Sequence, residues 1–197
     1  MKVQYSPIRL IVGLGNPGSD YSSTRHNAGQ DLVEELARQA STNFTPESKF
    51  FGLSARITLA GHDVRLLIPT TFMNKSGLAV AALANFYKIE TANILVVHDE
   101  LDLAPGSARL KVGGGHGGHN GLRDIIASRG NDKNFARLRL GIGHPGSAKD
   151  VASYVLKRAS KIDINTIDDA IVKSIAILPE LAAGNFEKAM LELHTHT

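Results

Sequence analysis

Residues 10–29, LIVGLGNPGSDYSSTRHNAG, decide how this chain folds. Leu10, Ile11 and Val12 form a short apolar run, the pattern of a buried strand. Glycines and Pro17 then turn the chain, and a helical pattern starts beside His26 and Asn27. Strand, loop and helix in that order are how an α/β domain builds a site at a strand's carboxyl end. Gly13, Gly15 and Gly18 match the dinucleotide fingerprint G-x-G-x-x-G, but the context disagrees. Pro17 interrupts it, the helix starts too late, and Glu34 and Glu35 fall inside that helix rather than at the end of a second strand. The glycines read instead as a tight turn, or as a turn that lets a polymer backbone come close to Asn16.

The reading extends outward from this stretch. Residues 1–7 form a short leader. Leu32, Val33, Leu36, Ala37 and Ala40 recur at helical spacing, which predicts an amphipathic helix over 27–40 capped by Thr24 or Asn27. Residues 41–49 are polar, contain Pro46 and read as a loop. Residues 51–59 and 64–67 alternate like strands around a turn at 60–63. A loop over 69–76 leads to a small-residue helix over 77–87. A second apolar run, 94–97, ends in His98 and Asp99. Strands over 108–112 and 135–142 flank a glycine-rich loop, 113–121, and a short helix, 122–128. Residues 144–159 read as a surface loop and helical lid. Ile164, Ile167, Ile171, Ile175 and Leu178 mark a long helix bent or ended near Pro179, and Gly184 and Asn185 separate it from a final short helix. The hairpin favours a mixed sheet over an all-parallel one. The expected architecture is one α/β domain over 1–197, a three-layer sandwich with a twisted mixed β-sheet flanked by helices.

Composition narrows the function. With 197 residues and 43% hydrophobic content, the chain can bury one substantial core. Lys and Arg number 22 against 19 Asp and Glu, a net charge of +3 that permits an anionic partner without requiring one. The absence of cysteine excludes disulfides and thiolate chemistry. There is no signal peptide and no apolar run long enough to span a membrane, so a cytoplasmic protein is expected. The final His-Thr-His-Thr reads as a solvated tail.

His26 is the first candidate for chemistry. A helix N-terminus disfavours imidazolium, and the neutral ring is the form that accepts a proton as a general base; otherwise His26 is a surface or capping residue. Asp99, at a strand's end, is either the carboxylate that orients such a base or an ordinary turn aspartate beside Glu100 and Asp102. No nucleophilic side chain presents itself: there is no Cys and no G-x-S-x-G elbow. Attack by water activated by His26 is the simplest mechanism. Asn16, Asn74 and Asn120, in three separate loops, offer two-headed amides that hold a peptide main chain, position water or donate to an oxyanion; turn chemistry is their other explanation. His116 and His119 in the glycine loop are possible metal ligands, although no H-E-x-x-H motif accompanies them. Lys111 and Arg139 are either solvated charges or a phosphate clamp.

The segments GLGNPGSDYSSTRHNAG, TTFMNKSG, HDELDLAPG, GGGHGGHNGLRDI and RLRLGIGHPG occur in order. On them the chain resembles the bacterial-type peptidyl-tRNA hydrolase family over residues 9–194. The resemblance implies a cytoplasmic, monomeric esterase that needs no metal or cofactor. Such an enzyme cleaves the ester between a peptide's C-terminus and the terminal ribose of tRNA, recycling drop-off products of translation. It further implies His26 as catalytic base and Asp99 as its orienting partner. Asn16, Asn74, Asn120 and His119 match substrate-positioning residues, and Lys111 and Arg139 match the pair associated with the tRNA 5′-phosphate. Tyr21, Phe72 and Met73 fall where the family lines its peptide and terminal-nucleotide groove. Two other readings compete: a metal-dependent hydrolase using His116 and His119, and a non-catalytic RNA-binding module, for which stacking aromatics are sparse.

Overall fold

The computed structural model describes residues 5–196. Its strands are β1 (Leu10–Gly13), β2 (Thr45–Glu47), β3 (Gly52–Leu59), β4 (His62–Pro69), β5 (Ile94–Glu100), β6 (Ala108–Val112) and β7 (Ala136–Gly141). They form one sheet in the order β2-β3-β4-β1-β5-β7-β6. β4, β1, β5 and β7 run parallel, while β2, β3 and β6 pair antiparallel with their neighbours. The sheet is therefore mixed, and its four parallel strands end at the same edge. The helices are α1 (Ala28–Gln39), α2 (Ser76–Phe86), α3 (Asn120–Ser128), α4 (Val151–Val155), α5 (Lys161–Ala176), α6 (Leu178–Ala182) and α7 (Phe186–His196).

Every residue of β1 is buried because the strand is central and covered on both faces. Successive side chains point to opposite faces. Ile11 joins a core with Leu32, Val33 and Leu36 of α1, Ile167 and Ile171 of α5, and Phe186. Leu10 and Val12 join the other core, with Val80 and Leu83 of α2 and Ile125 of α3. Two cores separated by one sheet make the expected three layers. Gly29 sets the spacing on the first face: a Cβ there would lie 2.1 Å from the Val97 carbonyl oxygen. The start of α1 thus rests directly on the main chain of β5, next to Asp99.

Several local expectations are corrected. The hairpin turn is only Ala60 and Gly61, at φ 48° and 78°, the left-handed pair of a two-residue turn. His62 and Asp63 therefore belong to β4. The stretch 41–49 contains β2, a short strand that tolerates Pro46 because one side of an edge strand needs no N–H donor. The break expected near Pro179 is present: the long helix stops at Ala176, and α6 restarts with Pro179 in its first turn. Neither Thr24 nor Asn27 caps α1 through its side chain. The Thr24 hydroxyl donates to the Tyr21 carbonyl at 2.7 Å, and the Asn27 amide turns to Asn16. Residues 1–4 of the leader lie outside the described residues, whereas Tyr5 stacks on Phe186 at 4.9 Å. Of the tail, Thr197 lies outside them too. His194 is no frayed end: its Nε2 accepts the Leu110 N–H at 3.0 Å, tying α7 to edge strand β6. Among the described residues, no helix is long and apolar enough to cross a membrane.

Candidate active site

Asp99 lies near the carboxyl end of β5 and is 3% exposed. Burying a carboxylate so deeply demands strong partners, and it has two. His26, in a 3-10 turn (Arg25–Asn27) just ahead of α1, places Nδ1 2.9 Å from both Asp99 oxygens. His119 places Nε2 2.8 Å from Oδ1. Burial pushes the Asp99 carboxyl up, but the two histidines outweigh it and hold it well below the usual carboxylate range. Burial pulls the His26 ring down, and the charge and hydrogen bond of Asp99 outweigh that in turn, so its pKa stands above the ordinary histidine value. At contact distance the carboxylate outweighs the partial positive charge of the helix end, which by itself would disfavour imidazolium. With Nδ1–H committed to Asp99, Nε2 is the free nitrogen.

His119 does two things at once. Its Nδ1 accepts the Gly121 N–H at 3.1 Å, capping α3, which therefore starts at Asn120 rather than at 122. An acceptor Nδ1 requires the proton to sit on Nε2, which donates to Asp99. The potential ligand atoms of His26, Asp99 and His119 lie within 4.8 Å of one another. A metal on Nε2 would need the other His119 tautomer and would set two N–H groups against each other at the cap. His116, the other proposed ligand, instead accepts the Gly118 N–H through Nδ1 at 3.0 Å. His98 is buried beside this centre, with Nδ1 donating to the Asp99 carbonyl at 2.7 Å. Burial and the neighbouring His119 pull it down to about 3, so it stays neutral and adds no charge.

The remaining predicted residues fall into three groups. A cavity of about 260 Å³ is lined by His26, Asp99, His119 and Asn120, with Val151 and Val155 of α4 on its apolar side. The expected lid thus forms part of the wall of the cavity that His26 and Asp99 also line. Asn16, Tyr21, Phe72 and Asn74 do not line this cavity; they lie in the segments after β1 and β4. Asn16 is buried and its Oδ1 accepts the Met73 N–H at 2.8 Å, so only its amide nitrogen is uncommitted. Asn74 is exposed, and Tyr21 and Phe72 meet edge to face at 6.2 Å. Lys111 and Arg139 line a second cavity of about 320 Å³, which shares His98, Glu100, His116 and Gly117 with the first.

Sequence reasoning missed three residues that build this site. Asn27 accepts the Asn16 N–H at 2.8 Å and donates to its carbonyl at 3.0 Å, fixing the first loop beside His26. Arg25 donates to the carbonyls of Tyr154, Lys157 and Arg158, anchoring the lid. Arg137, 3% exposed, donates to the Gly114 and Gly115 carbonyls and pins the glycine loop. Gly113, Gly114, Gly117 and Gly118 all have left-handed φ in that loop, which explains the residue type. Motif position hinted at Asn27, but nothing in the sequence pairs a strand arginine with carbonyls more than 20 residues away.

A mixed α/β sheet carrying a buried histidine–carboxylate centre at its parallel strand ends is the framework of a hydrolytic enzyme. The chain belongs to the peptidyl-tRNA hydrolase family, whose profile matches residues 10–197. It is 64% identical over 190 residues to the peptidyl-tRNA hydrolase of Teredinibacter turnerae, covering 96% of this chain and 98% of that one. It is 62% identical over its full length to the enzyme of Saccharophagus degradans, covering all of both chains. The crystal structure of peptidyl-tRNA hydrolase from Acinetobacter baumannii superposes with a TM-score of 0.94 at 48% identity, covering 99% of this chain and 98% of that one.

Proposed function

We propose that this protein hydrolyses the ester between a peptide and the 3′-terminal ribose of tRNA, using water activated by His26. The observation that carries the reading is the contact of His26 Nδ1 with both Asp99 oxygens at 2.9 Å, which leaves Nε2 free to take a proton. Water attacks the ester carbonyl while its proton passes to Nε2. The tetrahedral intermediate then expels the ribose 3′-oxygen, which receives a proton from the imidazolium. Asp99 stabilises the imidazolium in between. The Asn16 amide nitrogen, Asn74 and Asn120 hold the peptide main chain and the developing oxyanion. His119 steadies Asp99 from the substrate side, and Tyr21 and Phe72 line the peptide path. Lys111 and Arg139 take the tRNA 5′-phosphate. The enzyme works as a one-domain cytoplasmic monomer.

The tautomer of His119 argues against the metal-dependent reading, and a carboxylate buried between two histidines has no use in a passive RNA-binding module. The test is turnover of a defined peptidyl-tRNA. His26→Ala should lower the chemical rate by roughly 10²–10⁴-fold and retain substrate binding. Near-wild-type turnover in the purified variant overturns the assignment. Loss of activity after exhaustive chelation, restored by added metal, favours the rival hydrolase.

A further inference from the structure

The cationic cavity contains its own competitor. Three cations line it, Lys111, Arg137 and Arg139, together with the carboxylates Glu100 and Asp102. The guanidinium of Arg137 is committed to the Gly114 and Gly115 carbonyls. Arg139 Nε donates to Glu100 Oε2 at 2.9 Å, and Glu100 Oε1 accepts the Asp102 N–H at 3.1 Å, which orients the carboxylate. Among the described residues Lys111 has no ion-pair partner. An incoming phosphate therefore finds Lys111 available and Arg139 already neutralised.

We propose that Glu100 is an internal competitor for Arg139 that holds down the affinity of this pocket for the tRNA 5′-phosphate, so that cleaved tRNA leaves. The proposal rests on the reading of Lys111 and Arg139 as the phosphate clamp. The 5′-phosphate is identical in substrate and product, so each increment of clamp affinity strengthens both complexes equally and does nothing for the chemical step. A clamp of full strength slows release. The Glu100–Arg139 pair suits exchange because its side chains are 17% and 25% exposed. It is neither solvated enough to be negligible nor buried enough to be locked. A terminal phosphate, with up to two charges and three acceptor oxygens, can displace a single carboxylate by engaging Lys111 and Arg139 together.

The experiment measures binding of deacylated tRNA, with its 5′-phosphate and after its removal, to the wild type, Glu100→Gln and Lys111→Ala. Glutamine keeps the shape and the acceptor for Asp102 while removing the charge. Glu100→Gln should bind the 5′-phosphorylated tRNA roughly fivefold tighter, the range for a partly exposed ion pair, and the 5′-hydroxyl tRNA no tighter. In steady state, KM and kcat for 5′-phosphorylated peptidyl-tRNA should fall together as release slows. Glu100→Asp, one methylene shorter, should gain less. An equal gain on both tRNAs means simple removal of a negative charge near RNA, and no gain means no competition; either overturns the proposal. Lys111→Ala separates the two levels. If it weakens only the 5′-phosphorylated tRNA, the clamp stands even where Glu100 fails. If it weakens both equally, the clamp falls and the proposal with it.

Discussion

The two adjoining cavities treat charge in opposite ways. Around Asp99 the carboxylate is buried, and His26 and His119 hold it at 2.8–2.9 Å. Around Arg139 the ion pair is partly exposed, and Lys111 beside it lies open to solvent. Electrostatic attraction strengthens as water is excluded, and so does the cost of leaving any member unpaired. The first arrangement is preorganised, which suits a proton transfer that tolerates little reorganisation. The second is exchangeable, which suits reversible capture of a polyanion. Glu100 shares a strand with Asp99 one residue away, so the contrast comes from burial rather than from residue type.

Substitutions can break or sharpen this contrast. The largest effect should follow Asp99→Asn, which keeps the volume and removes the charge. We expect kcat to fall by roughly 10²–10⁴-fold with the fold intact. The pH profile supplies the sign. Asp99 raises the His26 pKa by stabilising imidazolium. Without it the ring loses its proton at lower pH, so the acidic limb of kcat/KM should move toward lower pH even as the plateau drops. A variant that unfolds yet keeps its rate per folded molecule would make Asp99 structural.

Next in size is the paired replacement of Lys111 and Arg139 by alanine and glutamine. Charge-assisted contacts contribute about 1.5–3 kcal/mol each, and Arg139 must first give up Glu100, so affinity for peptidyl-tRNA should fall toward the lower end of that sum, on the order of 10²-fold, with a flatter salt dependence. The loss should be confined to substrates carrying the tRNA body. An equal loss on a short ester would move these residues into the fold or the chemistry and erase the contrast between the cavities.

A smaller effect belongs to a third charged region away from both cavities. Among the described residues Asp31 on α1 has no ion-pair partner: burial, then Glu34 and Asp168, push its carboxyl up to about 7. Because the folded pKa exceeds the unfolded one, ionisation destabilises the fold as pH rises from about 4 through 7. Asp31→Asn should remove that loss and raise stability at pH 8 by about 2 kcal/mol, a figure reduced from the full shift because water still reaches the group. The gain should vanish near pH 4. Thermal melts at the two pH values measure it, and an unchanged difference between wild type and variant would show that Asp31 is already ionised in the folded protein.

Much of this was legible along the chain. The apolar runs at 10–12 and 94–97 gave two central strands, and their ends gave Asn16 and Asp99. The glycine loop before Asn120 signalled an unusual backbone. Other features resisted reading because they depend on partners distant in sequence. Nothing local says that a histidine will cap α3, since histidine ranks below Ser, Thr, Asp and Asn at that position. The position becomes intelligible only once Asp99 is seen to claim the other ring nitrogen. Pro46 argued against a strand until β2 proved to lie at the sheet's edge.

By itself the sequence determined the order and type of the elements apart from edge strand β2, because apolar periodicity and turn chemistry are local quantities that each segment carries with it. It also supplied the chemical inventory: imidazoles, a carboxylate, amides, cations and no thiol. The tertiary structure decided what those groups are. His26 and Asp99 are 73 residues apart, and they meet only because Gly29 lets α1 rest on β5. The meeting also fixes protonation. A buried carboxylate shared by two histidines selects a tautomer for each and raises the His26 pKa, whereas Glu100, one residue further along the same strand, reaches the solvent-facing cavity and pairs with an arginine instead. Dielectric and distance are properties of the folded arrangement, and the same carboxylate chemistry acquires two roles from them.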